Sequence, residues 1–314
     1  MNFSVTSVIS SEQGERVRDD WEKMKKLVDL HLHSTCSDGL HSPAEVVRLA
    51  AEAGLAAIAL CDHDNVDGID AAQAAGKQLG VEVISGVELS TVWEGFADLH
   101  LLGYGFDHHH PELAASLAGF REFRASRNER IVERINDRLA SEKRAAIDFA
   151  KVLARAGGSL GRPHIAQELI AAGYVRNTEE AFQRYLVPCN VEKRFFPLDE
   201  AISLVHRAGG VAVLAHPPFV TNDRKVLGEL LDTFVTLGLD GVEAWNSGAS
   251  RHDIEWYITL ARRRGLLVTG GSDFHGSEEG AIKIGSGRGQ LHIPYACVDE
   301  IKAALAAHHA ADDG

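Results

Sequence analysis

The stretch Val28-Asp29-Leu30-His31-Leu32-His33-Ser34-Thr35-Cys36-Ser37-Asp38-Gly39 decides how the chain is read. It opens with a short β-type run, Lys26 to His33, and ends in a Ser/Gly turn. On a strand, residues two apart point to the same side. His31 and His33 therefore present two imidazoles together, while Val28, Leu30 and Leu32 face the other way. Two imidazoles on one face are half of a metal site, and Asp38 in the following loop is placed to add an oxygen ligand. Alone, His-x-His also fits an incidental pair of strand histidines. The rest of the chain weighs against that, because strands ending in His, Glu or Asp recur at later points.

After this strand, Ser42-Pro43-Ala44-Glu45 has the form of a helix start, with Ser as N-cap, Pro at the first helical position and Glu three on from Ser. The helix is expected to run to about Ala53. A strand Ala56 to Leu60 ends in Cys61-Asp62-His63-Asp64, and a helix from about Asp67 to Leu79 stops at Gly80. A strand Val81 to Ile84 leads into Gly86-Val87-Glu88-Leu89-Ser90, and Leu99 to Tyr104 is a fourth strand carrying His100. This alternation predicts a parallel α/β sheet or barrel. From about His108 to Phe196 the pattern turns helical: Pro111 to Glu142, Asp148 to Ala156, Pro163 to Ala172 and Thr178 to Leu186. The rhythm resumes with a helix Leu198 to Ala208 and a strand Val211 to Ala215 before His216-Pro217-Pro218. Next come a helix Lys225 to Leu237 and a strand Gly241 to Ala244 before Trp245-Asn246-Ser247. A helix Ser250 to Arg264, a strand Leu266 to Thr269 before Ser272-Asp273-Phe274-His275, and a helix Val298 to Ala307 close the chain. The domains expected are a polar extension over 1–25, with an amphipathic helix toward its end, an α/β body over 26–107 and 197–314, and a helical insertion over 108–196.

The 314 residues carry 32 basic against 45 acidic side chains, a net charge of −13. That argues against a non-specific nucleic-acid binder, which needs a broad basic surface. An anionic substrate held by a few local arginines and metal ions is still allowed. The four cysteines, Cys36, Cys61, Cys189 and Cys297, are scattered and form no C-x-x-C pair, so a disulfide framework is not expected and a reducing cytoplasm is the simplest setting. No apolar run is long enough to span a membrane, and residues 1–25 lack the signature of a signal peptide.

In a parallel barrel the strand ends share one rim, where active sites are built. His31, His33, Asp38, His63, Glu88, His100, His216, Asp273 and His275 form a mixed nitrogen and oxygen donor set without sulfur, suited to Mn, Fe or Zn. Nine candidates exceed the needs of one ion and suffice for two or three. Clustered divalent ions ionise water near neutral pH, polarise phosphoryl oxygens and stabilise a leaving oxygen. The residues alone thus point to a metal-dependent hydrolase of phosphate esters.

As a set, His31-x-His33 with Asp38, Asp62-His63-Asp64, Gly86-Val87-Glu88, His216-Pro217 and Ser272-Asp273-Phe274-His275 resembles the PHP (polymerase and histidinol phosphatase) family. The resemblance covers about Lys26 to His275. It implies a distorted (β/α)₇ barrel with a di- or trinuclear site and an inserted helical cap. By position, His31, His33, Glu88 and Asp273 would hold one ion, Asp38, His63 and His275 a second, and Glu88, His100 and His216 a third, with Mn the first expectation. Arg127-Asn128-Glu129-Arg130 and Gly161-Arg162-Pro163-His164 are similar to the subgroup that removes the 3′-phosphate of 3′,5′-nucleoside bisphosphates, some members of which trim short RNA from the 5′ end. On that resemblance a metal-bound hydroxide attacks phosphorus, and Asp273 or His275 protonates the leaving oxygen. Arg127, Arg130, Arg162, His164 and Asn246 contact a small nucleotide or short RNA.

Other readings stand beside this one. The substrate is a cyclic phosphodiester, histidinol phosphate or sugar phosphate, or the chain is a metal- or nucleotide-binding module or a polymerase-associated subunit. Neither stable duplex DNA, a membrane nor a protein partner is expected. His108-His109-His110 reads as a solvated connection, and His41, His206, His252, His292, His308 and His309 as structural or surface residues.

Overall fold

The computed structural model describes residues 26–156, 160–276 and 282–312. The amphipathic helix expected near the end of the N-terminal extension lies outside them.

Among the described residues eight strands form one mixed sheet. β1 (Val28–Leu32), β2 (Ala57–Leu60) and β3 (Glu82–Trp93) pair in parallel. β1 and β2 are buried along their whole length, which is why their sequences are apolar on both faces and why His31 is fully enclosed. Between them α1 (Pro43–Glu52) starts as its sequence requires: Ser42 accepts from the Glu45 N–H at 3.3 Å and Pro43 occupies the first turn. α2 (Ile69–Leu79) ends on Gly80 at φ 74°, a left-handed cap that favours glycine.

Two expectations fail at β3. Its strand does not stop near Ile84 but runs twelve residues, so Glu88 sits within it, opposite Leu102 of β4 (Phe96–Tyr104). Gly86 is no terminator. A Cβ there would come within 2.7 Å of Cys61 Sγ and Leu60 O, so glycine is needed for the close approach of β3 to the end of β2. The sheet is also not all parallel. β4 runs antiparallel to β3 and to β6 (Val211–Leu214), joined to β3 by a tight turn at Glu94 and Gly95, both at positive φ. β7 (Gly241–Trp245) and β8 (Leu267–Gly270) restore the parallel order, and the two-residue β5 (Phe196–Pro197) adds to β3. Past β8 the chain returns to β1: Asp273 N–H bonds His31 O at 2.9 Å, and His33 N–H bonds Phe274 O at 3.0 Å.

Between β4 and β5 the segment is helical. α3 (Pro111–Ser141) spans about 46 Å at 1.5 Å per residue. Its Leu113, Leu117 and Phe120 pack into the main core around the sheet, whereas Ile131, Ile135 and Leu139 belong to a second apolar cluster. That cluster is completed by α4 (Phe149–Ala156), α5 (Arg162–Ala171) and α6 (Thr178–Ala181). The expected helix through Leu186 changes character after Ala181 and continues as a π-turn over Phe182–Leu186. The remaining helices, α7 (Leu198–Arg207), α8 (Arg224–Thr236), α9 (Arg251–Arg262) and α10 (Ala296–Asp312), pack around the sheet.

Candidate metal centre and active site

Glu88 is the focus of the site. It is 1% exposed, and its two oxygens face different sets of histidines. Oε2 lies 3.2 Å from His31 Nε2, 3.2 Å from His33 Nε2 and 3.1 Å from His63 Nδ1. Oε1 lies 2.7 Å from His100 Nδ1 and 3.0 Å from His216 Nε2. Asp273 Oδ1 joins the first set at 3.2 Å from His33 Nε2. Asp38 stands 3.3 Å from His275 Nε2 and 3.9 Å from His63 Nε2. Three donor groups emerge: His31, His33, Glu88 and Asp273; His33, Asp38, His63 and His275; and His63, Glu88 and His100. His216 adjoins the last, its Nε2 3.2 Å from His100 Nδ1.

These groups fit divalent cations. His31 Nε2, both nitrogens of His33, His63 Nδ1, His100 Nε2, His216 Nδ1, Asp38 Oδ1 and Glu88 Oε2 are buried without a hydrogen-bond partner. Buried polar atoms are normally satisfied; His31 Nε2, His33 Nε2, His63 Nδ1 and Glu88 Oε2 converge, so these orphans call for a common partner. Ligand atoms about 2.1 Å from one ion stand about 3.0–3.5 Å from each other, which is the spacing seen around Glu88 and Asp273. The electrostatics agree. Burial opposes the charge on Glu88, yet the imidazoles of His63, His100 and His31 hold its carboxyl well below the usual range. Burial likewise works against the charge on His33, but Asp273 and Glu88 draw a proton onto it and carry it up to about 10. The carboxylates thus demand the positive charge that a bound cation supplies.

A second set of side chains fixes the first. Glu243 is fully buried; His31 Nδ1 contacts its Oε1 at 2.9 Å, and the His216 N–H donates to Oε2 at 2.7 Å. A proton on Nδ1 leaves Nε2 of His31 free for ligation. Asp62 accepts from Ser34 N–H and Oγ at 2.8 and 2.7 Å and from Ser37 Oγ, securing the loop that carries Asp38. Asp29 accepts from Ser272 N–H at 2.8 Å and Gly285 N–H at 2.7 Å, anchoring the loop of Asp273. His216 (φ 24°) and Asp273 (φ 57°) hold strained backbone, as active-site residues often do.

Against the Asp38, His63 and His100 side lies a cavity of about 230 Å³. Five cations line it: Arg124, Arg127, Arg162, Lys193 and Arg194. Arg162 stacks over Phe182 at 5.2 Å and Arg194 over Phe120 at 4.7 Å. Arg127 is held by Val191 O and Asn190 Oδ1, both at 2.8 Å, and burial together with Arg162 and Arg124 pulls it down to about 10. It is still charged at neutral pH, and the crowding of like charges favours an anion in the cavity.

A PHP domain model matches residues 29–209 of the sequence. The chain belongs to the PHP family. A PHP relative from Haemophilus influenzae, named a 5′-3′ exoribonuclease, is 40% identical, the match covering 80% of this chain and 91% of the relative. A 3′,5′-nucleoside bisphosphate phosphatase from Chromobacterium violaceum is 34% identical, with 82% and 90% covered. The solved structure of a metal-dependent phosphoesterase from Bifidobacterium adolescentis aligns with a TM-score of 0.76 at 31% identity, covering 88% of this chain and 96% of that one. This PHP protein is a metal-dependent phosphoesterase.

The PHP fold brings all nine sequence-picked ligand candidates together. Of the expected substrate contacts, Arg127 and Arg162 line the cavity. His164 is buried beside it and accepts the Gly161 N–H at 3.0 Å. Arg130 is exposed, directs its Nε to Ser126 O, and is not among the described residues lining the cavity. Asn246 is 1% exposed and serves its own turn, accepting the Gly248 N–H at 3.1 Å. Sequence reasoning missed Glu243, Arg124, Lys193, Arg194 and the phenylalanines. Glu243 had a signal, an acid in the middle of the apolar run Gly241-Val242-Glu243-Ala244-Trp245.

Proposed function

We propose that the chain removes the 3′-phosphate of 3′,5′-nucleoside bisphosphates and, by the same bond cleavage, trims 5′-phosphorylated short RNA. The observation that carries this reading is the five-cation cavity set directly against the carboxylate and histidine clusters. On this reading the cavity takes one phosphate and the clusters beside it take the other. The names of the two curated relatives point the same way.

His31, His33, Glu88 and Asp273 would hold one ion, Asp38, His63 and His275 a second, and Glu88, His100 and His216 a third, with Mn favoured by the nitrogen and oxygen donors. Such ions supply an ionised water and Lewis acidity toward phosphoryl oxygens. The chain's own residues do the rest. Arg162 and Arg127 grip the 5′-phosphate bidentately, as guanidinium forks do. Phe182 and Phe120 back two of the cations and offer the base an apolar wall. His164, in the first turn of α5, steadies the Gly161 turn over Asp38. Asp273, which His31 and His33 keep ionised, has no proton to give, so His275, about one-third exposed, hands a proton to O3′ as the P–O3′ bond breaks. On this reading the sheet closes as a distorted (β/α)₇ barrel, supported by the backbone bonds between β1 and the chain after β8. Residues 108–196 form the cap, supported by their separate apolar cluster. The four free thiols accord with a reducing cytoplasm, and no described helix is long and apolar enough to cross a membrane.

The test is phosphate release from adenosine 3′,5′-bisphosphate by Mn²⁺-loaded protein, with a 5′-phosphorylated RNA oligomer alongside. AMP and free phosphate from the first, and 5′-nucleotides from the second, are expected. Failure of both substrates would refute the proposal.

A further inference from the structure

The five-cation cavity covers one side of the clusters. The side beyond His216 carries features that the bisphosphate reaction does not use. After β6 the chain makes a 3₁₀ turn, Pro217–Phe219, whose last N–H bonds His216 O at 3.0 Å. Phe219 is 71% exposed, the most exposed large apolar side chain among the described residues. Single exposed apolar residues are ordinary on surfaces; the surroundings of this one are not. Its ring meets the His216 imidazole edge-on, centroids 5.2 Å apart at 80°. A Cβ on Gly248 would come within 3.3 Å of Phe219 Cε2, so the ring rests against bare backbone there. Two prolines fix the turn. The aromatic surface is therefore held in place at the edge of the clusters, and a planar ligand stacking on it orders little that is not already ordered. Next to Pro218 and Gly248 lies a further cavity of about 90 Å³, in which Arg224 stands over Trp256 at 4.8 Å. Base–aromatic stacking is a principal contact of single-stranded nucleic-acid binding, whereas Arg224 is already paired with Asp253 at 3.1 Å.

The chemistry gives this side an occupant. In a 3′,5′-bisphosphate the reacting phosphorus bears O3′ and three terminal oxygens. In RNA one of those oxygens is esterified to O5′ of the next nucleoside. Hydrolysis breaks the same P–O3′ bond in both cases: water oxygen joins phosphorus, a proton goes to O3′, and the remaining RNA keeps a 5′-phosphate. With the first nucleotide in the five-cation cavity, the next nucleoside needs another side of the clusters, and Phe219 stands beside His216 on one. We propose that Phe219 is the stacking platform for the base immediately 3′ of the scissile phosphate. This rests on the reading under Proposed function and extends it to the specificity for RNA over bisphosphate.

The experiment compares kcat/KM for a 5′-phosphorylated diadenosine dinucleotide, the same dinucleotide lacking its second base, and adenosine 3′,5′-bisphosphate. The proteins are the Mn²⁺-loaded wild type, Phe219→Ala and Phe219→Trp. A stacked base lost by alanine substitution corresponds to roughly 5- to 150-fold. The ratio of dinucleotide to bisphosphate turnover is expected to fall about tenfold in Phe219→Ala and to be retained in Phe219→Trp. Removing the second base should cost the wild type the same factor and cost Phe219→Ala nothing more. A ratio unchanged in Phe219→Ala, or equal wild-type turnover with and without the second base, overturns the proposal while the parent reading stands. A wild type that turns over none of the three substrates overturns both.

Discussion

Replacing Glu243 by glutamine tests the logic of the metal centre at one atom. Two donors converge on this buried carboxylate, the His31 Nδ1 proton at 2.9 Å and the His216 backbone N–H at 2.7 Å. Glutamine keeps the shape but has one acceptor oxygen. The backbone N–H cannot change, so the amide oxygen turns to His216 and the NH₂ group faces His31 Nδ1. That nitrogen must then accept, and the imidazole proton moves to Nε2, the atom 3.2 Å from Glu88 Oε2 that points into the cluster. Binding an ion there requires the proton to return to Nδ1, setting donor against donor in a dry site. An unsatisfied buried donor costs about 1–3 kcal/mol, so Mn²⁺ affinity should fall about 5- to 150-fold, a range that includes the 10- to 100-fold typical of such outer partners. The metal-free protein escapes the conflict through the other tautomer, so its melting temperature should hardly move. Calorimetric titration with Mn²⁺, thermal melts of chelated protein and phosphate release against Mn²⁺ concentration read these effects separately. Mn²⁺ affinity within twofold of wild type, or a metal-free protein destabilised as much as the affinity is weakened, would refute the reasoning.

Three further outcomes are expected. Arg162→Ala removes a charge-assisted contact to the 5′-phosphate worth about 1.5–3 kcal/mol, so kcat/KM for adenosine 3′,5′-bisphosphate should fall by more than tenfold while that for adenosine 3′-monophosphate falls far less; equal losses would show that no second phosphate is read. Arg124 pairs with the buried Asp64 at 2.7 Å, so Arg124→Ala should cost about 1.5–3 kcal/mol in urea unfolding and also raise KM; unfolding indistinguishable from wild type would count against that ion pair. For Glu82, burial raises the carboxyl but Lys302 and the Tyr295 hydroxyl hold it below its ordinary value. A depressed folded pKa contributes stability above the unfolded pKa and loses it as pH falls through the folded one. Melting temperatures of wild type and Glu82→Gln should therefore differ at pH 7 and converge below about pH 4; a gap that persists or widens in acid would contradict this.

The candidate ligands were legible because their residue types restrict the chemistry and most of them, His33, His63, His216, Asp273 and His275, follow shortly after a strand, although Glu88 and His100 turn out to lie inside β3 and β4. Strand direction was not legible. Nothing inside Leu99–Tyr104 marks it as antiparallel; the one local sign is the Glu94-Gly95 turn after Trp93, a connection too short for any crossover to a parallel neighbour. Nor was the continuation of β3 past Ile84 legible, because nothing in sequence marks Gly86 as a glycine needed for close approach within a strand. The cations of the cavity were half visible. Arg127 and Arg162 lie in recognisable motifs, but Arg124 is one of many arginines on a long polar helix, and Lys193 and Arg194 enter from the irregular chain after the π-turn. Which of these side chains point inward is fixed by tertiary packing: Arg127 lies three residues from Arg130, yet one is buried and the other exposed.

The turn Cys61-Asp62-His63-Asp64 links the parts of the site to one another. His63 contacts Glu88 and approaches Asp38, so it faces two of the donor groups. Asp62, one residue before, holds Ser34 and Ser37 and thereby the loop of Asp38. Asp64, one residue after, sits at φ 49°, accepts from the Ser90 N–H on β3 and receives the Arg124 guanidinium from α3. Three consecutive side chains thus tie the metal clusters to the ligand loop on one side and to the helical segment above the cavity on the other. A shift of that segment moves Asp64, and the rigid turn passes the displacement to His63. The geometry needed to bind the distal phosphate and the geometry needed to hold the metals are therefore linked through the same three residues. Substitutions at Asp64 should accordingly change substrate affinity and Mn²⁺ affinity together, whereas substitutions at Arg162, which touches neither the turn nor the clusters, should change substrate affinity alone.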